Sequence, residues 1–430
     1  MVQGFGLSSG SVSRSSGAVL GVMVIGAGVQ FGFHVLLARV LTVAEYGAFS
    51  FGFSVYTMLI LGNKLAGDNL ILRELPSVTG KRHACELRTF LLSVPAILYV
   101  VSLAGVWISV QTGAIAKSYV PSVSAFVLIL PLGVYLKYAL AYCRTEGYYV
   151  AAQIGDQVVR PGFAILVLAV LAHVSSIDML AAIAALATGT MLAIAVTAIP
   201  VRKDLWRMIR LPRASLFLPA VRRYLRSAAI MTGISGQNVA IKQMDVLFLG
   251  MLTTPALVGS YAAATKIALV ATFMLAAVNI VVSPIFSKLY SENRIRELKS
   301  VIREGSRLIF VASFAIWILV VLWAEQLLGL FGAEYHNAVL PLQILVSGQL
   351  VNALAGPVGT LLNMIHKEHI TIRALALALV LAVALNVTLI PLYGQIGAAI
   401  AYAAALVAWN FTLAAYCWLK LEINTTVLQA

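Results

Sequence analysis

The basic residues of this chain are sorted between alternate loops that separate long apolar segments. Apolar segments of about 20 residues recur from Ala18 to Leu419, and a helix of that length crosses a bilayer core of about 30 Å. When twelve spans are drawn, 24 of the 30 Lys and Arg residues fall in loops and tails on one side. The positive-inside rule makes that side cytoplasmic. We therefore predict a polytopic membrane protein with both termini in the cytoplasm.

The composition is typical of a chain that lies mostly in lipid. It is 61% hydrophobic and 11% charged, with a mean hydropathy of +0.95, whereas soluble domains are about 45–50% apolar and about 25% charged. The net charge of +14 is spread over membrane-flanking loops, so we expect contact with anionic membrane lipids and no nucleic-acid binding. The predicted spans are 18–38, 48–70, 90–110, 120–142, 161–174, 179–199, 228–251, 258–285, 308–324, 339–364, 372–390 and 396–419.

The two halves of the chain resemble each other. Leu37–Phe49 aligns without gaps with Leu249–Tyr261 at an offset of 212 residues, with Leu, Thr, Ala and Gly identical. Each segment is a turn between the first two spans of a six-span half, and an even number of spans gives both halves the same orientation. We predict an all-α fold of about 12 transmembrane helices in two six-helix lobes, related by a pseudo-two-fold axis along the membrane normal. The predicted domains are an N-terminal lobe 1–199, a basic interfacial linker 200–227 and a C-terminal lobe 228–430.

Four lysines fall inside the predicted spans, where an ionisable group is costly and usually pairs or faces a cavity. They are Lys64, Lys137, Lys242 and Lys266. With these boundaries the spans contain two acids, Asp68 and Asp245. The excess charge in the membrane is therefore positive, and it favours an anionic passenger.

Each lysine also has a structural interpretation. Lys266 and Asp245 are expected at similar depth on neighbouring helices, where an ion pair would clamp the hairpin, and Lys242 lies one turn from the same carboxylate. Lys64 is four residues before Asp68, a spacing that allows an ion pair within one helix. Lys64 and Lys137 can alternatively extend to the cytoplasmic interface.

Patterns that would indicate catalysis or a metal site are weak. The three cysteines have no metal-site spacing, and His366 and His369 lack a nearby third ligand, so we expect no metal and no cofactor. The longest predicted outer connection, near 325–338, carries only two Glu and one His. A membrane enzyme such as a polysaccharide polymerase or ligase needs a larger external site, so we predict that the chain is not an enzyme.

Five segments, spread over nearly the full length, resemble landmarks of the bacterial polysaccharide-export flippases. They are Ala38–Phe49, Gln243–Lys266, Pro284–Tyr290, Phe331–Leu345 and Leu385–Ala401. The sequence is thereby similar to the Wzx-type polysaccharide or O-antigen flippases of the multidrug/oligosaccharidyl-lipid/polysaccharide exporter superfamily. One departure is the charged second span, where that family usually has a plain Leu-Gly-Leu segment.

The resemblance implies movement of an undecaprenyl-pyrophosphate-linked oligosaccharide from the inner to the outer leaflet of the bacterial inner membrane, by alternating access through a cationic central cavity. The implied partners are this lipid-linked oligosaccharide and other polysaccharide assembly proteins. An anionic headgroup cannot cross a low-dielectric core unpaired. We therefore predict that Lys242 and Lys266 contact the substrate and that Asp245 orients them. Lys64 and Lys137 would capture it from the cytoplasm. The alternative is a cation-coupled drug or small-solute antiporter of the same superfamily.

Overall fold

The regular secondary structure of the protein is helical. The computed structural model describes residues 9–77, 80–173, 177–201 and 214–427, and no β-strand occurs in these ranges. A helix satisfies all of its own backbone hydrogen bonds, which is the condition for crossing lipid. The predicted all-α fold is confirmed. Residues 202–213 of the predicted interfacial linker, 200–227, lie outside the described residues.

The described residues of the first half of the chain form nine α-helices. Two of them, α5 and α6, form one bent span with a 44° angle at Ile129, next to Pro131, which lacks a backbone donor. A π-helix, Gly155–Val159, joins α7 and α8 into one continuous helix. The nine are α1 (Ser9–Val40), α2 (Val43–Lys64), α3 (Gly67–Glu74), α4 (Lys81–Gln111), α5 (Val120–Leu128), α6 (Leu130–Thr145), α7 (Tyr149–Ile154), α8 (Arg160–Leu171) and α9 (Met179–Ala198).

The second half also forms nine α-helices within its described range, 214–427. Gly356 has a φ of +70°, and a side chain at this position would overlap the Ser306 hydroxyl, so glycine is needed to turn the chain between α15 and α16. The nine are α10 (Phe217–Leu252), α11 (Pro255–Ala268), α12 (Phe273–Ser291), α13 (Ile295–Leu322), α14 (Ala324–Gly329), α15 (Val339–Leu354), α16 (Val358–Met364), α17 (Glu368–Tyr393) and α18 (Gln395–Leu421).

The described helices account for all twelve predicted spans. Nine helices in the described ranges are long and apolar enough to cross a membrane, and the bent pair α5 and α6 makes a tenth. These ten correspond to ten of the predicted spans. The other two predictions, 48–70 and 228–251, fall on α2 and α10.

The chain divides into two compact units. The first contains the described residues of Met1–Val40 and Val55–Gly236, and the second contains Leu41–Ser54 and the described residues of Gln237–Ala430. Helix α10 runs without a break through the predicted boundary at 227/228. The predicted domain boundaries stay a prediction.

The internal repeat has a structural counterpart. Helix α1 ends at Val40 and α10 ends at Leu252, and α2 begins at Val43 and α11 begins at Pro255. Each pair of positions is separated by the 212 residues of the sequence alignment. The threonine before each second helix is also shared, and Thr42 forms a reciprocal capping box with Glu45, with a Thr42 Oγ1 to Glu45 Oε2 distance of 2.8 Å.

The glycines that the repeat aligns contact each other inside the second unit. A Cβ atom added to Gly47 of α2 would overlap the carbonyl oxygen of Pro255 and lie 2.8 Å from the backbone nitrogen of Gly259. A Cβ atom added to Gly259 of α11 would overlap the carbonyl oxygen of Val43 and lie 3.1 Å from the nitrogen of Gly47. The start of α2 therefore packs backbone to backbone on α11, a separation that only glycine permits at both positions.

Candidate functional sites

Lys64 of the first unit is held in an ion pair at the end of α2. Its Nζ atom lies 2.5 Å from Oδ2 of Asp68, and both side chains are mostly buried. The Tyr138 hydroxyl donates to the Lys64 carbonyl at 2.8 Å, which satisfies a backbone acceptor where the helix stops. The Tyr138 ring occupies the space where Gly67 would carry a side chain. The predicted pairing of Lys64 and Asp68 is confirmed.

Lys137 is also paired, with a carboxylate that the sequence interpretation placed in a loop. Its Nζ atom lies 2.8 Å from Oδ2 of Asp156, and Nη1 of Arg160 lies 3.7 Å from Oδ1 of the same carboxylate. Asp156 lies in the π-helix and Arg160 begins α8. π-Helical turns are rare and occur often at functional sites. The five residues Lys64, Asp68, Lys137, Asp156 and Arg160 are called the ion-pair cluster below.

The position of Asp156 and Arg160 corrects two predictions. The span predicted at 161–174 is instead Tyr149–Leu171, so both residues lie within a candidate membrane span and not in a cytoplasmic loop. The predicted boundaries therefore left out one acid, Asp156, and one cation, Arg160, of this candidate span. The ammonium group of Lys137 is bound to Asp156, a pairing that the sequence did not predict, and its extension to the interface stays a prediction. The Nε atom of Arg160 is buried and has no hydrogen-bond partner among the described residues.

In the second unit, Asp245 is buried and bound to a tyrosine. Its Oδ2 atom accepts a hydrogen bond from the Tyr261 hydroxyl at 2.5 Å, and its Oδ1 atom accepts one from the Val246 amide at 2.9 Å. Within the described ranges, no nitrogen of Lys266 or Lys242 lies within 4.0 Å of this carboxylate. The predicted ion pair between Lys266 and Asp245 is therefore not a direct contact, although the two groups lie close enough to attract each other electrostatically. Residue spacing gave the two groups equal depth, but it did not show which face of each helix they occupy.

Lys242 is exposed and lies on the wall of a cavity of about 380 Å³ in the second unit. Five carboxamide side chains also line this cavity, which is called the amide cavity below. Lys242 is the one charged residue in its described lining. The carboxamides are Asn279, Gln349, Asn352, Asn363 and Asn410.

A chain of hydrogen bonds fixes one wall of the amide cavity. The indole nitrogen of Trp409 donates to Asn410 at 3.0 Å, and the Asn410 amide donates to Asn352 at 3.0 Å. Asn352 donates to Gln349 at 3.3 Å, and Gln349 donates to the Tyr402 hydroxyl at 2.9 Å. Side-chain networks of this kind rigidify a polar site when each member has a partner. The amides come from α15 and α18, so two helices present one ordered polar wall.

The predicted site residues therefore separate into two groups. Lys64 and Lys137 belong to the ion-pair cluster of the first unit, and Lys242 belongs to the amide cavity of the second unit. Lys266 and Asp245 are not part of the described cavity lining. The sequence analysis did not identify the cavity amides, although Gln349 and Asn352 are three residues apart and share one face of α15. No group of three or more possible metal ligands occurs in the described ranges.

Solved structures of membrane transporters share this fold. An inward-facing multidrug resistance MATE family transporter aligns with a TM-score of 0.71 at 15% identity, over 95% of this chain and 98% of the other. The lipid II flippase MurJ, in an inward closed conformation, aligns with a TM-score of 0.72 at 10% identity, over 93% of this chain and 86% of the other. The chain is therefore an all-α polytopic membrane protein with the fold of these transporters.

The family follows from sequence. The model of the family described as polysaccharide biosynthesis protein matches residues 12–290, and the chain belongs to that family. The MatE model matches residues 234–388. A curated relative from Haloferax volcanii, the "Probable low-salt glycan biosynthesis flippase Agl15", is 30% identical over 164 residues, which is 37% of this chain and 34% of the relative. The matches thus span about a third of the length of the curated relatives. The resemblance to the exporter superfamily is confirmed.

Proposed function

We propose that this protein is a flippase that moves an undecaprenyl-pyrophosphate-linked oligosaccharide repeat unit from the inner to the outer leaflet of the bacterial inner membrane. Transport proceeds by alternating access, without chemical change of the substrate, and serves polysaccharide or O-antigen export. Both termini face the cytoplasm, the basic loops contact anionic lipids, and other polysaccharide assembly proteins are partners. Family membership and the flippase relatives support this proposal.

The observation that carries the proposal is the unpaired charge of Lys242. This lysine lines the amide cavity, and no carboxylate lies within 4.0 Å of it in the described part of the chain. A cation inside a membrane protein without a carboxylate partner is suited to an anionic ligand. A pyrophosphate group supplies that charge, and ionised hydrogen bonds of this type are about twice as strong as neutral ones.

The other lysines have different roles in this proposal. Lys64 and Lys137 are neutralised by Asp68 and Asp156, so they hold the helices of the first unit together and do not act as free capture sites. Arg160 leaves the ion-pair cluster with one more cation than carboxylates, and this surplus charge is what remains for initial attraction of the headgroup. Lys266, which has no carboxylate partner within 4.0 Å in the described ranges, is a second candidate for headgroup contact.

A complementation experiment tests the proposal. Cells deleted for the gene are complemented with wild type, Lys242→Ala, Lys242→Arg or Lys288→Ala at matched membrane levels, and surface glycan and inner-leaflet lipid-linked oligosaccharide are measured. Lys288 is an exposed lysine outside the cavity lining, so it is the matched control. We expect Lys242→Ala to reduce export about 10- to 100-fold, which corresponds to the free energy of one charge-assisted hydrogen bond. We expect Lys242→Arg to retain part of the activity and Lys288→Ala to match wild type.

Two results contradict the proposal. If the deletion leaves surface glycan unchanged in a strain with no second flippase gene, the flippase function is rejected. If wild type and Lys242→Ala both restore export fully, the flippase function stands but the role of Lys242 in the translocation site is rejected. Both readings depend on the same strain set, so they are obtained in one experiment.

A second candidate is the cation-coupled small-solute antiporter. The match of the MatE model over 234–388 and the buried carboxylate of Asp245 favour it. In that case Asp245→Asn would abolish export of cationic dyes from intact cells, and deletion of the gene would raise dye retention without affecting surface glycan. Dye retention that is the same in wild-type and deletion strains excludes this candidate.

A further inference from the structure

We propose that the amide cavity is the binding site for the saccharide part of the lipid-linked substrate, with Lys242 placed beside it for the pyrophosphate. This inference rests on the proposed flippase function and adds the location and chemistry of sugar recognition. The cavity is built within the second unit, from α12, α15, α16, α17, α18 and the end of α10.

The lining chemistry suits neutral hydroxyl groups. A carboxamide both donates and accepts hydrogen bonds, and so does a sugar hydroxyl, whereas a carboxylate only accepts and attracts cations. The described lining contains five carboxamides and no carboxylate. Trp409 and Tyr402 add aromatic surface, which can pack against the apolar face of a sugar ring. The volume of about 380 Å³ lies at the small end of the range for ligand pockets, about 300–1,000 Å³, so it holds a sugar unit and not the whole lipid.

Two buried polar atoms of the lining have no protein partner. The Asn279 Oδ1 atom and the Thr371 Oγ1 atom are both inaccessible to solvent and make no hydrogen bond within the described residues. Thr371 is 6% exposed. A buried polar group without a partner is costly, and each such group in a native structure calls for an explanation. The Asn279 oxygen offers an acceptor and the Thr371 hydroxyl offers a donor and an acceptor. A sugar hydroxyl group completes both once a rotation of each side chain turns the buried atom toward the cavity that the residue lines.

The hydrogen-bond chain from Trp409 to Tyr402 gives this site a fixed geometry. Each amide of the chain is oriented by its neighbour, so the free lone pairs and N–H groups point in defined directions before a ligand arrives. Preorganisation of this kind reduces the entropic cost of binding. The unpaired atoms of Asn279 and Thr371 belong to different helices, α12 and α17, so the cavity takes hydrogen-bonding groups from both.

Binding to the purified full chain in lipid nanodiscs tests this inference. Two probes are used: the free repeat-unit oligosaccharide, released by mild acid from the producing cell's lipid-linked pool, and undecaprenyl pyrophosphate without sugar. The variants are Thr371→Val and Asn279→Leu, which remove the unpaired atoms and keep the branched shape of each side chain. Thr425→Val is the matched control, because the Thr425 hydroxyl is also buried and unpartnered in the described structure but lies outside the cavity lining.

We expect the free oligosaccharide to bind wild type and Thr425→Val equally, and to bind Thr371→Val and Asn279→Leu about tenfold more weakly, as for the loss of one buried hydrogen bond. Undecaprenyl pyrophosphate should bind both cavity variants as tightly as it binds wild type, and Lys242→Ala should weaken its binding. Thr371→Val should melt no lower than wild type, because it removes a buried hydroxyl that has no protein partner.

The inference is overturned if the cavity variants bind the free oligosaccharide like wild type, or if wild type does not bind it. Either result leaves the proposed flippase function intact when the wild-type gene still restores glycan export to the deletion strain. Failure of that rescue is the separate result that rejects the flippase function itself.

Discussion

The contact between Gly47 and Gly259 makes a quantitative prediction about stability. Ordinary contacts of a Cβ atom lie at 3.4–4 Å, whereas a methyl group at Gly47 would lie 2.8 Å from the Gly259 nitrogen and closer still to the Pro255 carbonyl oxygen. The obstacles are backbone atoms, which cannot rotate away. Helices α2 and α11 must therefore separate by at least about half an ångström, and overpacking of this kind costs about 1–3 kcal/mol.

A second glycine of the same helix supplies the control. Gly62 also lies within α2, and a Cβ atom there would meet no other atom within 4 Å. Replacing either glycine by alanine gains the same helix propensity, about 0.5–1 kcal/mol. The difference in unfolding free energy between Gly47→Ala and Gly62→Ala therefore isolates the steric cost. We expect Gly62→Ala to be as stable as wild type or more stable, and Gly47→Ala to be less stable than Gly62→Ala by about 1–3 kcal/mol.

Unfolding of the purified protein in mixed micelles, followed by tryptophan fluorescence, measures this difference. Gly259→Ala should show a similar loss, and the double variant should lose less than the sum of the two, because the first methyl group already separates the helices. Equal stability of Gly47→Ala and Gly62→Ala would refute the backbone-to-backbone packing of α2 on α11. Additive losses would show that the two glycines do not share one contact.

Three further predictions concern the charged groups. Lys137→Met should lower the unfolding free energy by about 1–3 kcal/mol, because the mostly buried carboxylate of Asp156 loses a partner. The double variant with Asp156→Leu should recover part of that loss. Denaturant unfolding of wild type, the single variant and the double variant checks this. Tyr261→Phe should cost about 1.5–3 kcal/mol in the same measurement, since its hydroxyl is bonded to the buried Asp245; a loss below about 0.5 kcal/mol contradicts that bond. Lys242→Ala should change the unfolding free energy by less than about 0.5 kcal/mol, because the side chain is exposed and unpaired in the described structure, even though it lowers transport.

The membrane helices and the repeat could be predicted from sequence because both depend on local patterns. Apolar length predicts a span wherever it occurs, and the 212-residue offset recurs in the ends of α1 and α10 and in the starts of α2 and α11. The error at Asp156 had a visible signal. The predicted span 161–174 has 14 residues, which is about 21 Å of helix at 1.5 Å per residue and too short for a core of about 30 Å. Extending it toward the N-terminus would have placed Asp156 and Arg160 inside the membrane.

The partners of the charged groups could not be predicted, because they depend on which face each helix presents. Asp245 and Lys266 are at equal depth by residue counting, yet the Tyr261 hydroxyl holds the carboxylate. The five carboxamides of the amide cavity come from four helices and are separated by up to 131 residues, from Asn279 to Asn410. No window of sequence contains them together, so only the packed structure shows that they share one cavity.

The distribution of charge in the second unit bears on the choice between the two candidate functions. A pyrophosphate-linked oligosaccharide presents negative charge and neutral hydroxyl groups within a few bonds of each other, so its site needs a cation beside neutral hydrogen-bonding groups. A carboxylate in the same lining would repel it. The amide cavity has Lys242, five carboxamides and no carboxylate in its described lining. A cation-coupled antiporter needs the opposite arrangement, and Asp245, which is 3% exposed and bonded to Tyr261, is absent from that lining. Asp245→Asn should therefore affect stability more than oligosaccharide binding, whereas Lys242→Ala should affect binding more than stability.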